Sequence, residues 1–195
     1  MLKIGITGGI GSGKTTISKV FEVLSVPVYY ADDAAKRLMN EDEELKQKIR
    51  KLFGEETYTN GRLNRKYLSS VVFNNEEKLA LLNGIVHPAT LRDAAQWMQQ
   101  QNTPYAIKEA ALIFESGAQE NLDAIIGVYA PVALRIQRTM KRDNISREEV
   151  LSRINKQIDE TIKMRLCDHV ISNNEQDLVI PQVIQMHQKF LAESL

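Results

Sequence analysis

The 195-residue chain carries 25 Lys and Arg against 25 Asp and Glu, so it has no net field of the kind that draws nucleic acid or an anionic membrane. With 43% hydrophobic residues it is long enough to bury one α/β core. Its single cysteine, Cys167, excludes an intrachain disulfide, its three scattered histidines form no zinc pattern, and no apolar run reaches the length of a membrane span. These features lead us to expect a cytoplasmic protein with no nucleic-acid or membrane partner.

The chain opens on an apolar run, Leu2–Thr7, read as a buried strand. Directly after it comes Gly8-Gly9-Ile10-Gly11-Ser12-Gly13-Lys14-Thr15, which fits the phosphate-loop pattern G-x-x-x-x-G-K-[ST] and leads into a helix from Lys14 to about Leu24. Glycines let the backbone curl so that successive N–H groups point at one anion, and the positive end of the helix faces the same anion. Lys14 is placed to meet the outer phosphates of a nucleoside triphosphate, and the Thr15 hydroxyl to ligate the accompanying Mg²⁺.

A second strand is expected at Val26–Tyr30, followed by Asp32 and Asp33. Open α/β sheets place ligands at the carboxyl ends of their strands, which makes Asp32 the candidate base for an acceptor hydroxyl. Capping the next helix is its alternative role. From about Asp33 to Pro104 the periodicity is helical throughout, with helices at Glu43–Phe53, Asn64–Phe73, Glu76–Val86 and Ala89–Gln101, punctuated by Gly54 and Asn60-Gly61. This is too long for a crossover and suggests a helical insertion that covers a second substrate.

Further strands are expected at Tyr105–Glu109, Ala124–Ala130 and His169–Ser172, each followed by a helix, the last from about Gln176 to Ala192. Glu109, ending the third strand, is a candidate to orient Mg²⁺ or to form a salt bridge. Pro131 is read as the first helical residue after the fourth strand. Ser146-Arg147-Glu148-Glu149 is a capping box that starts a helix near residue 147. Between Arg135 and Arg165 nine basic residues face five acids, and two helices joined at Arg142–Ser146 would make a flap over about Arg138 to Gln157.

A phosphate loop alone is shared by switch GTPases, motors and small-molecule kinases. No Asp is followed three positions later by Gly, and Asn155-Lys156-Gln157-Ile158 lacks the aspartate of a guanine-reading motif. A short chain with an insertion and an arginine-rich flap points to a kinase, in which a lid excludes water and its arginines meet the charge on the transferring group. Arg138 and Arg142, four apart, share one helix face and are the candidate lid arginines. A nucleoside or nucleotide kinase, using Arg37, Arg50, Arg62, Arg65 or Arg92 for an acceptor phosphate, is the alternative within this class.

Together these segments resemble the dephospho-CoA kinase family over nearly the whole chain. Thr7 to Thr16 is similar to its form of the loop. Tyr30-Ala31-Asp32-Asp33-Ala34-Ala35-Lys36 resembles its D-A-D-x-x-A-R element, with Tyr30 and Lys36 departing from it. Leu82-Asn83-Gly84-Ile85-Val86-His87-Pro88, preceded by Phe73 to Lys78, resembles its L-N-x-I-x-H-P segment. Ala111-Leu112-Ile113-Phe114-Glu115 resembles P-L-L-F-E with alanine for proline, and Arg138 to Asp143 with Arg153 and Gln157 resembles its lid. Asp168 to Asn174 resembles its last strand and turn.

The resemblance implies a P-loop kinase fold in the α/β class, with a five-stranded parallel sheet. It implies a core of residues 1–31, 104–137 and 158–195, an acceptor-binding insertion at 32–103 and a lid at 138–157. It further implies ATP with Mg²⁺ at Gly9, Ile10, Gly11, Ser12, Gly13, Lys14, Thr15, Thr16 and Arg142, with Thr15 and Glu109 toward the metal. The acceptor, dephospho-CoA, would meet Asp32, Lys36, His87 and Glu115, and Asp32, Lys14, Arg138 and Arg142 would carry the reaction. A monomer is favoured.

Overall fold

The computed structural model describes residues 1–72 and 75–194. The chain divides into two compact units, one made of Met1–Tyr30 and Gln100–Leu195 and the other of Ala31–Gln99.

The first unit is built on strands β1 (Leu2–Thr7), β2 (Val28–Tyr30), β5 (Tyr105–Glu109), β6 (Ala124–Tyr129) and β7 (His169–Ser172), all parallel, in the order β2-β5-β1-β6-β7. The strand made first is therefore the centre of the sheet, pairing Ile4 with Ile107 on one side and Ile6 with Ile126 on the other. Helices α1 (Lys14–Val23) and α9 (Val179–Glu193) bring Ile17, Phe21, Val183 and Phe190 onto one face. They pack with Ile4, Ile6, Tyr105, Ile107, Ile126, Val128 and Ile171. Burial of this apolar surface is the main force holding the sheet to its helices. On the other face small residues admit close neighbours. A Cβ on Gly5 would sit 2.7 Å from Leu122, and one on Gly127 2.8 Å from Met164 in α8 (Glu160–Leu166). The unit also holds α6 (Val132–Asp143) and α7 (Arg147–Ile154).

The second unit has its own core of Leu38, Leu45, Ile49, Phe53, Tyr58, Leu68, Val72, Val86 and Ala89. These come from α2 (Ala31–Glu41), α3 (Glu43–Phe53), α4 (Arg65–Val72), α5 (Glu76–Gln99) and the hairpin of β3 (Tyr58–Thr59) with β4 (Arg62–Leu63). The Asp42 side chain accepts from the Leu45 amide at 3.0 Å and starts α3. Arg37 Nη2 donates to both carboxylate oxygens of Asp93, at 2.7 and 2.8 Å, tying α2 to α5.

Several expectations are corrected. The stretch from Asp33 to Pro104 is not helical throughout: Asn60 and Gly61 both take positive φ, 52° and 76°, and turn β3 into β4. The two helices expected at Glu76–Val86 and Ala89–Gln101 are one helix with Pro88 inside it, so His87 lies in a helix interior and not at a helix end. Buried residues on both sides of the proline, Val86, Ala89 and Thr90, hold the helix across the missing hydrogen bond. The helix expected at Asn64–Phe73 runs from Arg65 to Val72, with the Asn64 side chain accepting from the Tyr67 amide at 3.1 Å. Phe73 lies outside the described residues.

In the first unit β2 begins at Val28, because Pro27 has no N–H for the ladder, although its carbonyl accepts from the Ile107 amide. Among the described residues no α-helix lies between β5 and β6. Turns over residues 110–117 lead to a short 3₁₀ helix at Ala118–Asn121. Pro131 is the N-cap of α6, with extended backbone, and not its first residue. The capping box at Ser146 forms as expected, with Ser146 accepting from the Glu149 amide and Glu149 from the Ser146 amide. The last helix starts at Val179 because Asn174 accepts from the amides of Gln176 and Asp177 in a turn of its own. Helix α8 was not expected.

Candidate active site

Gly8 to Gly13 form the loop between β1 and α1. Gly11 and Gly13 have φ of 77° and 95°, a conformation a side chain would strain. The loop carbonyls are drawn away to other partners. Those of Gly8 and Gly9 accept from Lys14 Nζ at 3.0 and 3.5 Å, that of Ile10 from Arg135 Nε at 3.0 Å, and that of Ser12 from Asn173 Nδ2 at 2.8 Å. Fixing the carbonyls fixes the peptide planes, and so the directions of the N–H groups. Helix α1 has no acidic residue in its first turn and no side-chain cap, so nothing there competes with an incoming anion.

Thr15, exposed on the first turn of α1, donates its hydroxyl to Glu109 Oε2 at 3.2 Å. Glu109 is buried at the carboxyl end of β5. The two residues expected near the metal are thus brought together. A hydroxyl and a carboxylate are hard oxygen donors that suit Mg²⁺. One residue earlier on the opposite side of the strand, burial holds the Lys108 ammonium below the usual lysine range.

The two expected lid arginines lie on α6 but do not converge. Arg138 donates to the Asn173 carbonyl and to Glu175, both at 3.1 Å, next to the residue that grips Ser12. Arg142 is exposed and pairs with Asp143 at 2.7 and 3.0 Å, and Arg153 joins the same carboxylate at 3.0 Å. A hydrogen bond from Arg142, helped by both guanidinium charges, holds the Asp143 carboxyl below its ordinary range, and the same bond raises Arg142.

Glu115 Oε1 accepts from the Ile158 amide at 3.1 Å and from the fully buried Lys163 ammonium at 3.0 Å. Lys163 also donates to the Ala111 carbonyl, so Glu115 ties the turn after β5 to the segment that precedes α8. Of the remaining candidates, Asp32, Lys36 and His87 belong to the second unit and Thr16 to the first. Asp32 and Asp33 are exposed on the first turn of α2, which starts at the residue after β2. Asp33 pairs with Lys36 at 2.7 Å, whereas the Asp32 carboxylate makes no hydrogen bond or ion pair among the described residues. His87 is half-buried in α5, and Thr16 is exposed beside Thr15.

Three residues at the loop were not picked out as site residues: Arg135, Gln157 and Asn173. Gln157 and Asn173 fall in segments that carry the family resemblance, but the bonds they make to Ile10 and Ser12 cross more than a hundred residues and leave no periodic trace. Arg135 is one of nine basic residues in its stretch and looks like the others. The available signal was the glycines at 9 and 11, which the loop pattern does not require.

A model of the family described as dephospho-CoA kinase matches residues 2–178. The chain is 37% identical to a dephospho-CoA kinase of Bacteroides fragilis over 186 residues, 95% of this chain and 91% of that one. Among solved structures it is similar to TT1252 from Thermus thermophilus, with 33% identity, a TM-score of 0.83 and coverage of 98% and 97% of the two chains. It is also similar to the dephospho-CoA kinase of Campylobacter jejuni, with 28% identity, a TM-score of 0.73 and coverage of 99% and 98%.

Proposed function

Because the chain belongs to the dephospho-CoA kinase family, we propose that its phosphate loop, Thr15 with Glu109, and Asp32 carry out that family's reaction. The activity is the transfer of a phosphoryl group from ATP to the ribose 3′-hydroxyl of dephospho-CoA, the final step of CoA biosynthesis. The observation that carries the residue assignment is the Thr15–Glu109 hydrogen bond beside a loop whose lysine and carbonyls are already fixed. This is where a triphosphate and its cation would be held.

In this reading the loop amides and the start of α1 bind the phosphates, and Lys14 leaves the Gly8 and Gly9 carbonyls to meet the outer ones. Thr15 and Glu109 hold Mg²⁺, which neutralises charge on the phosphates when bound. Asp32 accepts the proton of the acceptor hydroxyl. Its lack of a competing partner and its place two residues past the end of β2 support that role. Arg138 and Arg142 serve the lid, where Arg142 exchanges Asp143 for the transferring group. Lys36, His87 and Glu115 are assigned to the acceptor side. We take the working form to be a cytoplasmic monomer.

The test is ADP release from the full-length protein and its Lys14→Ala variant, with dephospho-CoA and a panel of nucleoside and nucleotide acceptors. Turnover should require dephospho-CoA and fall by at least about a hundredfold in the variant, which removes charge stabilisation at the transition state. Turnover within a few-fold of the parent would remove the loop from the catalytic site.

A further inference from the structure

The phosphate-loop pattern leaves positions 9 and 11 open to any residue, yet both are glycine here. Gly11 needs its positive φ. Gly9 has no such backbone reason. What its missing side chain accommodates is a guanidinium: a Cβ on Gly9 would collide with Arg135 Nη2 and Cζ, and would come within 2.6 Å of Glu160 Oε2. A Cβ on Gly11 would likewise strike the Arg135 carbonyl and approach Thr139 Oγ1 to 2.6 Å. Arg135 and Thr139 are one helical turn apart, so α6 lies directly against the back of the loop.

Arg135 is buried, with only 4% of its side chain exposed, and is held by two partners. Its Nε donates to the Ile10 carbonyl at 3.0 Å, while its Nη1 pairs with Glu160 Oε2 at 3.0 Å. On the other side of the same residue, the Ile10 amide donates to Gln157 Oε1 at 2.9 Å. Both backbone groups of Ile10 are therefore gripped from outside the loop. The grips come from α6, from the residue that ends the 138–157 stretch, and, through Glu160, from the start of α8.

We propose that Arg135 is a positioning residue of the ATP site, a brace that sets the shape of the phosphate loop and makes it depend on where residues 157–160 stand. A guanidinium suits this task because its Nε can donate to a carbonyl while its charge pairs with a carboxylate on another edge of the same planar group, here Ile10 and Glu160. At this depth it cannot lie along the nucleotide, so its effect passes through Ile10. The flanking amides, which bind phosphate in the reading above, keep their directions only while the Ile10 peptide does. Movement of Gln157, where the expected lid ends, or of Glu160 just beyond it is thereby felt at the phosphates.

The inference rests on the loop being the ATP site, and Arg135→Lys tests it with Lys14→Ala run alongside. Lysine can still pair with Glu160 but cannot donate to Ile10 at the same time. The expected result is a melting temperature within a few degrees of the parent, a KM for ATP and a Kd for ADP raised on the order of tenfold, and a KM for dephospho-CoA left unchanged. Gln157→Leu removes the opposite grip and gives the same split. It carries the test if Arg135→Lys fails to fold. In the double variant the losses multiply to less than the product of the two, since both act on one peptide. Parental values for both KM in Arg135→Lys, or losses in every parameter that follow the fall in melting temperature, would overturn the brace. If Lys14→Ala also kept ATP affinity and turnover, the loop assignment itself would fall. If Lys14→Ala alone is impaired, only the brace does.

Discussion

Asp32 and Asp33 stand side by side on one helical turn with different occupations. Asp33 is taken up by Lys36, and Asp32 has no partner among the described residues. Neither is the N-cap of α2, which begins at Ala31, so the capping alternative raised by the sequence finds no hydrogen bond here. Asp32→Asn keeps size and polarity but cannot accept the proton of an acceptor hydroxyl. We expect kcat with dephospho-CoA at saturating ATP and Mg²⁺ to fall on the order of 10²-fold or more, with stability unchanged to within roughly 0.5 kcal/mol at this exposed position. Full turnover in the variant would move the role to Asp33. At this scale the sequence made the candidate residues legible, because the loop pattern and the carboxylates at strand ends are local. It did not show who holds them. The partners Arg135, Gln157 and Asn173 reach the loop from distant positions, and the glycines at positions 9 and 11 are the local mark of where one lies.

Elements were legible where their signals were local. The capping box at Ser146, the strand at Tyr105–Glu109 and the helix at Glu43–Phe53 follow their residues closely. Pro88 reads as a break in sequence because its own chemistry opposes helix, and tertiary burial on both sides overrides it. Asn60-Gly61 was read as a pause between helices because strands of two residues are too short to show alternation.

The junction of α6 and α7 offers a pH test of an element. Asp143 gathers Arg142 from its own helix and Arg153 from α7, and these hold its carboxyl below the usual range. A depressed carboxyl contributes stability that is fully present above its unfolded value of about 3.9 and lost as the pH falls through the lower folded one. The gap in melting temperature between the parent and Asp143→Asn should therefore be constant from neutral pH down to about 5 and shrink below about 4. A gap that does not narrow over the range in which both proteins melt cooperatively would show that the carboxylate is not what holds the junction.

At the scale of the whole molecule the two units have separate cores, which makes their stabilities separable. Ile49 is fully buried in the second unit among Leu45, Phe53 and Tyr58. Ile49→Ala should cost about 2–5 kcal/mol through lost burial and the cavity left behind. In amide hydrogen exchange the added opening should be confined to residues 31–99, while β1, β5 and β6 keep their protection. Equal loss of protection in the central strands would show that the units unfold as one.

The position of β1 also sets an order of events during synthesis. Leu2 pairs with Tyr105, and Ile4 with Ile107 and Ala124, so the first strand made is among the last to find neighbours. Residues 31–99, which are contiguous and have their own core, have all been translated before either partner strand is. At roughly 5–20 residues per second the nascent Leu2–Thr7 segment waits on the order of ten seconds for its sheet. Through that interval an apolar strand stands open to chaperones and to other chains, and it is the one that leads into the nucleotide loop.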